Sequence, residues 1–151
     1  MASVHDVAAF VLDLGGAMST MKFQKLVYYC QAWSLVWDDV PMFKASIEAW
    51  AAGPVIRELF REHRKEFSVS KWPKGNPRNL SDAAKGTVRA VVGFYGKMEA
   101  FELSNLTHAE DPWRDARKGL PDGAPSRNEI PVLSIATYYR GLWANRKATK
   151  K

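Results

Sequence analysis

Residues 20–37, TMKFQKLVYYCQAWSLVW, decide the fold. Phe23, Leu26, Val27, Cys30, Trp33 and Trp37 recur at steps of three and four, the spacing of one helical face. Tyr28, Tyr29, Leu35 and Val36 fall elsewhere on the wheel. A helix that is apolar around most of its circumference belongs at the centre of a bundle. Ser19 or Thr20 can cap its start, and Pro41 blocks its continuation. Against this background the polar positions stand out. Gln24, Tyr28 and Gln31, spaced i, i+4, i+7, form a single stripe.

Outward from this helix the pattern stays largely helical. Val4, Val7, Ala8, Val11 and Leu12 predict a short helix over 4–14, started by Ser3-x-x-Asp6 and stopped by Gly15-Gly16. Ser46–Trp50 alternates, which predicts a small extended element near 43–50, one strand of a hairpin. Gly53-Pro54 reads as a helix start for 54–66, with Pro54 at the first position. Residues 68–80 read as a loop punctuated by Ser70, Pro73, Gly75, Asn76 and Pro77. Further helices are expected over 82–95, 99–106, 112–118 and 129–144, the last with Ile130, Leu133, Ile135, Ala136, Tyr139 and Trp143 inward. THAEDPW, 107–113, offers two helix starts: a Thr107-x-x-Glu110 capping box, or Asp111 as cap with Pro112 first in the helix. The expectation is a mainly α, single compact domain over 1–151, with a basic frayed tail at 145–151.

Length and composition agree. The chain has 151 residues, 17.0 kDa and 46% apolar residues, enough for one domain with a real core. One cysteine excludes an internal disulfide framework. No apolar run reaches the ~20 residues of a membrane span, and Met1–Phe10 lacks the pattern of a signal peptide. A soluble cytoplasmic protein, off the membrane, is therefore expected. The net charge of +6 is concentrated: residues 57–80 carry +4 and residues 140–151 carry +5, whereas 1–56 carry −2 and 81–139 carry −1.

Catalytic and cofactor chemistry finds little support. His5, His63 and His108 lie on separate elements, and none has a second histidine or cysteine at i+3 or i+4. His108-Ala109-Glu110 has the H-x-E spacing of zinc deaminases without the P-C-x-x-C that completes it. Cys30 sits on the apolar stripe, where a thiol acts as a small hydrophobe. Gly15-Gly16 is not followed by a phosphate-cradling spacing. No cofactor or metal is expected. The 57–80 segment is the one feature with nucleic-acid character, combining seven basic residues with Phe60, Phe67 and Trp72. Glu58, Glu62 and Glu66 dilute it, and direct nucleic-acid binding is the alternative rather than the leading reading. Trp72, in a Pro/Gly loop, reads equally as exposed anchor or core residue.

Four segments, in order, resemble one family. Met21–Trp33 resembles the K-[LF]-Q-K-L-x-Y-[YF]-x-Q-[AG] stretch of the Panacea domain, also called SocA-like or phage-associated GepA. Pro41-Met42-Phe43 with Ile47-Glu48-Ala49-Trp50 resembles its P-L-F…I-x-A-W. Gly53-Pro54-Val55 with Leu59 and Phe60 resembles G-P-V-x-x-x-[VL]-[YF]. Tyr95-Gly96 followed by Leu103-Ser104, Thr107-His108, Glu110 and Pro112-Trp113 resembles Y-G…L-S-x-x-T-H-x-E-x-P-W. The resemblance spans about 4–144. Phe23 and Met42 replace common leucines, Cys30 replaces a small residue, and Arg57 stands where proline is frequent.

The resemblance implies an antitoxin rather than an enzyme. Such a protein neutralises a toxin, the product of a neighbouring gene, by direct binding, in one relative by delivery to a bacterial protease. The polar and aromatic motif members are Gln24, Lys25, Tyr28, Gln31, Glu48, Trp50, Thr107, His108, Glu110 and Trp113. They form either a buried hydrogen-bond network or a toxin-contacting pocket. Since the family meets unrelated toxins, toxin-specific contacts are expected outside the motifs: Arg57, Arg61, Arg64, Lys65, Trp72 and Lys74 in the basic segment, and Arg127 in the 119–128 loop.

Overall fold

The computed structural model describes residues 2–146. Its elements are α1 Val4–Gly15, β1 Met18–Ser19, α2 Thr20–Trp37, β2 Ile47–Trp50, β3 Gly53–Ile56, α3 Arg57–His63, β4 Ser68–Val69, α4 Asp82–Tyr95, α5 Ala100–His108, α6 Asp111–Ala116 and α7 Val132–Asn145. The fold is mainly α and compact, with two small antiparallel two-stranded sheets.

The central helix, α2, forms over the residues that the sequence predicts, and its N-terminus is capped by Ser19, whose Oγ accepts the Lys22 N–H at 3.1 Å. All thirteen residues from Phe23 to Leu35 are buried. Helices α1, α4, α5 and α7 pack around it, which is why its polar side chains have no water to turn to. Helix α1 starts with the expected Ser3/Asp6 capping box. Asp6 also accepts from Asn76 N–H at 2.8 Å and the Asn79 amide at 3.3 Å, tying the 3-10 turn Pro77–Asn79 to the start of α1. Gly75 is required there, because a Cβ would collide with the His5 carbonyl.

Several expected elements are corrected. The hairpin is longer than the 43–50 reading, and no helix begins at Pro54. Gly53–Ile56 is a strand paired with Ile47–Trp50, in the register Ile47 with Ile56 and Trp50 with Gly53. The pairing holds Gly53–Ile56 extended, with Gly53 at φ +126°, and the β-branched Val55-Ile56 pair suits the strand. Pro54 is tolerated because strand β3 lies at the edge of this sheet. The other edge, β2, is covered by residues 128–130: Ala49 N–H donates to the Asn128 carbonyl and Ile130 N–H to the Ile47 carbonyl, both at 2.8 Å. The 68–80 loop contains β4, which pairs with β1. Neither reading of THAEDPW has the right register. Glu110 occupies the cap position of α6 without a side-chain cap bond, so Asp111 and Pro112 are the first two helical residues. Leu133, expected inward, is exposed, because α7 starts at Val132 and turns it to solvent. Of the expected frayed tail, Asn145 closes α7, and Lys147–Lys151 lie outside the described residues.

The buried hydrophobic residues other than Val55 form one continuous cluster that runs from α1 through α2 to α7. No helix among the described residues is long and apolar enough to cross a membrane.

Candidate functional site

The polar stripe of α2 works as a set of brackets. Gln24 Oε1 accepts Ile56 N–H at 2.9 Å, and its Nε2 donates to the Ile56 carbonyl at 3.2 Å. An amide side chain thus imitates the strand that β3 lacks on its free edge. The same Nε2 lies 2.9 Å from His63 Nε2, and burial holds the His63 imidazole below its usual pKa. Two turns on, Gln31 repeats the device. Its Oε1 accepts Met42 and Phe43 N–H at 2.7 and 3.2 Å, and its Nε2 donates to the Phe43 carbonyl at 2.9 Å.

Tyr28 leads into a second network, centred on Glu110. Tyr29 Oη and Tyr139 Oη each donate to Glu110 Oε1 at 2.7 Å. Tyr139 spends its proton there, so Tyr28 Oη donates to Tyr139 Oη, 3.1 Å away. Burial raises the Glu110 pKa above the usual carboxylate value, which the two tyrosine bonds partly offset. It also raises those of Tyr28, Tyr29 and Tyr139.

The remaining motif residues gather at the hairpin turn. Trp113 Nε1 donates to the Trp50 carbonyl at 2.7 Å. His108 stacks on Trp113 with centroids 3.9 Å apart and planes 6° apart, and the Arg117 guanidinium lies over the Trp113 ring, 4.7 Å from its centroid. Glu48 Oε1 accepts from Trp50 Nε1 at 2.7 Å and from Arg57 at 3.0 Å. His108 Nε2 is buried without a hydrogen-bond partner, and burial lowers the His108 pKa. Lys25 is buried beside the turn, close enough that a Cβ on Gly53 would sit 2.5 Å from Lys25 Cε and 3.2 Å from Thr107 Oγ1. Lys25 forms no hydrogen bond or ion pair among the described residues, and burial pushes its pKa down to about 8. Thr107 donates to the Ser104 carbonyl at 2.8 Å. The motif residues therefore divide into brackets, a carboxylate network and a turn cluster. Burial also pushes the Cys30 thiol up, which disfavours the thiolate a nucleophile needs.

The expected toxin-specific surface is rearranged by the fold. Trp72 is not an exposed anchor: it is 8% exposed, packs on Phe23 at 5.0 Å between centroids, and donates from Nε1 to His5 Nδ1 at 3.0 Å. Lys74 pairs with Glu62 at 2.9 Å and Arg57 with Glu48. Arg61, Arg64 and Lys65 stay exposed, and Arg127 is exposed beside a loop that Arg117 fixes through the Pro121 and Ala124 carbonyls.

An apolar groove of about 610 Å³ was not legible in the sequence. Helices α4 and α7 both pack on α2 but hardly touch each other, and the gap between them exposes Trp37, Phe94, Leu142 and Trp143. Trp33 and Tyr95 lie deeper, with Trp33 Nε1 donating to Tyr95 Oη at 2.9 Å, and Glu110 also lines the groove. A trace was visible in the sequence: Leu142 is a large apolar residue off the inward face assigned to the last helix.

The family model for the antitoxin SocA-like, Panacea domain matches residues 23–114. The chain belongs to this Panacea family. No curated protein and no solved structure matches it. The Panacea match is shorter than the 4–144 span of the motif resemblance, and its limits are informative. It contains both glutamine brackets, Glu110, the turn cluster apart from Arg117, and the α4 wall of the groove. The other wall, with Tyr139, Leu142 and Trp143, comes from α7, beyond the matched residues.

Proposed function

We propose that this protein neutralises a cognate toxin, the product of a neighbouring gene, by binding it directly and covering its active or substrate-docking surface. Membership of an antitoxin family supplies the class of activity. The observation that carries direct binding is the open groove between α4 and α7, where Phe94 is 63% exposed and Trp37, Leu142 and Trp143 lie beside it. Large apolar side chains collected in one concave patch mark a protein contact site. A stable complex of ordinary size would bury roughly 1,200–2,000 Å² in total, so the groove would be its centre and polar surroundings its rim.

In this reading the two glutamine brackets and the turn cluster hold the fold. The toxin-specific contacts come from the groove walls and from exposed charges such as Arg61, Arg64, Lys65 and Arg127, which steer encounter. The nucleic-acid alternative is weakened by the burial of Trp72, its stacking platform, and by the pairing of Arg57 and Lys74 with glutamates. Co-expression with the neighbouring gene tests the proposal. Growth arrest by that gene alone and recovery with this protein are expected; a harmless product, or one that stays toxic, would sink it.

A further inference from the structure

The groove has an apolar lining except at its floor, where it meets a carboxylate. Glu110 is the only acidic or basic side chain among the described residues that line it, and Glu110 is 5% exposed. Its Oε1 takes both tyrosine hydroxyls. Its Oε2 has no hydrogen-bond partner among the described residues. Glu110 thus brings a carboxylate with one unpartnered oxygen to the groove that it lines.

Holding two tyrosines together needs one acceptor oxygen. A glutamine would provide it without the cost of desolvating a charge. The charge and the second oxygen of Glu110 are left over from that structural task, and both call for a cationic donor. The surroundings suit one. Trp33 and Trp37 stack 5.0 Å apart, and Trp143 meets them edge-on at 5.8 and 5.5 Å. Aromatic faces attract cations, and Trp143 already carries the Arg146 guanidinium 3.5 Å from its ring centroid. A long side chain with an aliphatic stem and a charged head fits apolar walls over a carboxylate floor.

We propose that the groove receives a segment of the toxin that inserts one arginine or lysine between α4 and α7. The cation donates to Glu110 Oε2, and apolar neighbours of the inserted residue seat on Phe94 and Leu142. This rests on the antitoxin reading and assigns its docking site. Residues 147–151, KATKK, contain lysines but only an alanine and a threonine besides, too little apolar surface to fill the groove. A second copy of the chain is the other occupant to separate by experiment.

The test is calorimetric titration of the full-length protein with the purified product of the neighbouring gene, with thermal melts of every variant. Glu110→Gln keeps both tyrosine bonds in reach and should retain the fold while binding at least ~30-fold more weakly, as for loss of one member of a buried charge pair. Replacing the toxin's basic residues one by one with methionine should find one that matches this loss and adds nothing to it in combination with Glu110→Gln. A merely structural Glu110 would show no such non-additivity, and that result would overturn the proposal. So would Glu110→Gln binding like the wild type, or a concentration-dependent dimer abolished by Phe94→Asp. If Glu110→Gln fails to fold, the methionine series against the wild-type protein still decides: no basic toxin residue costing more than ~10-fold overturns the assignment. Absence of any binding by the wild type would instead refute the antitoxin reading itself.

Discussion

Gln24 holds Ile56 by both ends of its amide, accepting the Ile56 N–H at 2.9 Å and donating to the Ile56 carbonyl at 3.2 Å. The bond pair joins the central helix to the free edge of the hairpin and sets the position of everything that follows β3. Both backbone groups are buried, so their alternative to Gln24 is no partner at all.

Gln24→Leu keeps the bulk and removes both bonds. It should destabilise the protein by about 2–4 kcal/mol in urea unfolding, the cost of leaving a buried N–H and a buried carbonyl unpaired. A loss below ~0.5 kcal/mol would mean that the bracket is redundant.

Lys25 gives a prediction about pH. Burial lowers its pKa from 10.5 to about 8. Below pH 8 the ammonium is charged in both folded and unfolded chains, and the folded state bears the full desolvation penalty. Between about pH 8 and 10.5 the folded chain has released the proton that the unfolded chain keeps, so stability rises with pH. Lys25→Met should therefore stabilise the protein at pH 7, on the order of 3 kcal/mol, with the advantage shrinking through that window. The comparison must be between the two proteins at each pH. The raised pKa values of Cys30 and the buried tyrosines act in the opposite direction at alkaline pH, but equally in both. A pH-independent difference in unfolding free energy would contradict the account.

Trp72 separates a core role from a surface role. As a buried ring packed on Phe23 and bonded to His5, it should cost about 3–5 kcal/mol when replaced by alanine. An exposed anchor would cost little stability and only binding. Thermal and urea unfolding of Trp72→Ala distinguish the two.

The sequence made α2 legible because periodicity, cap and stop agreed there. It failed at Gly53–Ile56 because Gly-Pro is also a helix-start signal, and only the pairing with β2 and the bracket from Gln24 decide for a strand. Trp72 was ambiguous because a Pro/Gly loop does not reveal that it folds back on α1, which depends on Gly75 meeting the His5 carbonyl without a side chain. The motif residues of the site were readable, but not their division of labour. Gln24, Gln31 and Glu110 look alike in sequence as polar motif members, and only the geometry shows two glutamines bonded at both ends of their amides while one carboxylate oxygen has no partner among the described residues. Tyr29 and Tyr139, which hold Glu110, drew no attention as polar residues because they sit within apolar runs.

The most direct test is growth rescue on co-expression with the neighbouring toxin gene, comparing wild type with Phe94→Asp/Leu142→Asp and with Arg61→Glu/Arg64→Glu. Both double variants change exposed side chains and should keep the wild-type melting temperature within a few degrees. The account predicts that the groove variant no longer rescues growth, while the basic-face variant still does, with slower association at low salt. Full rescue by a folded groove variant would contradict the assignment of toxin docking to the α4–α7 groove.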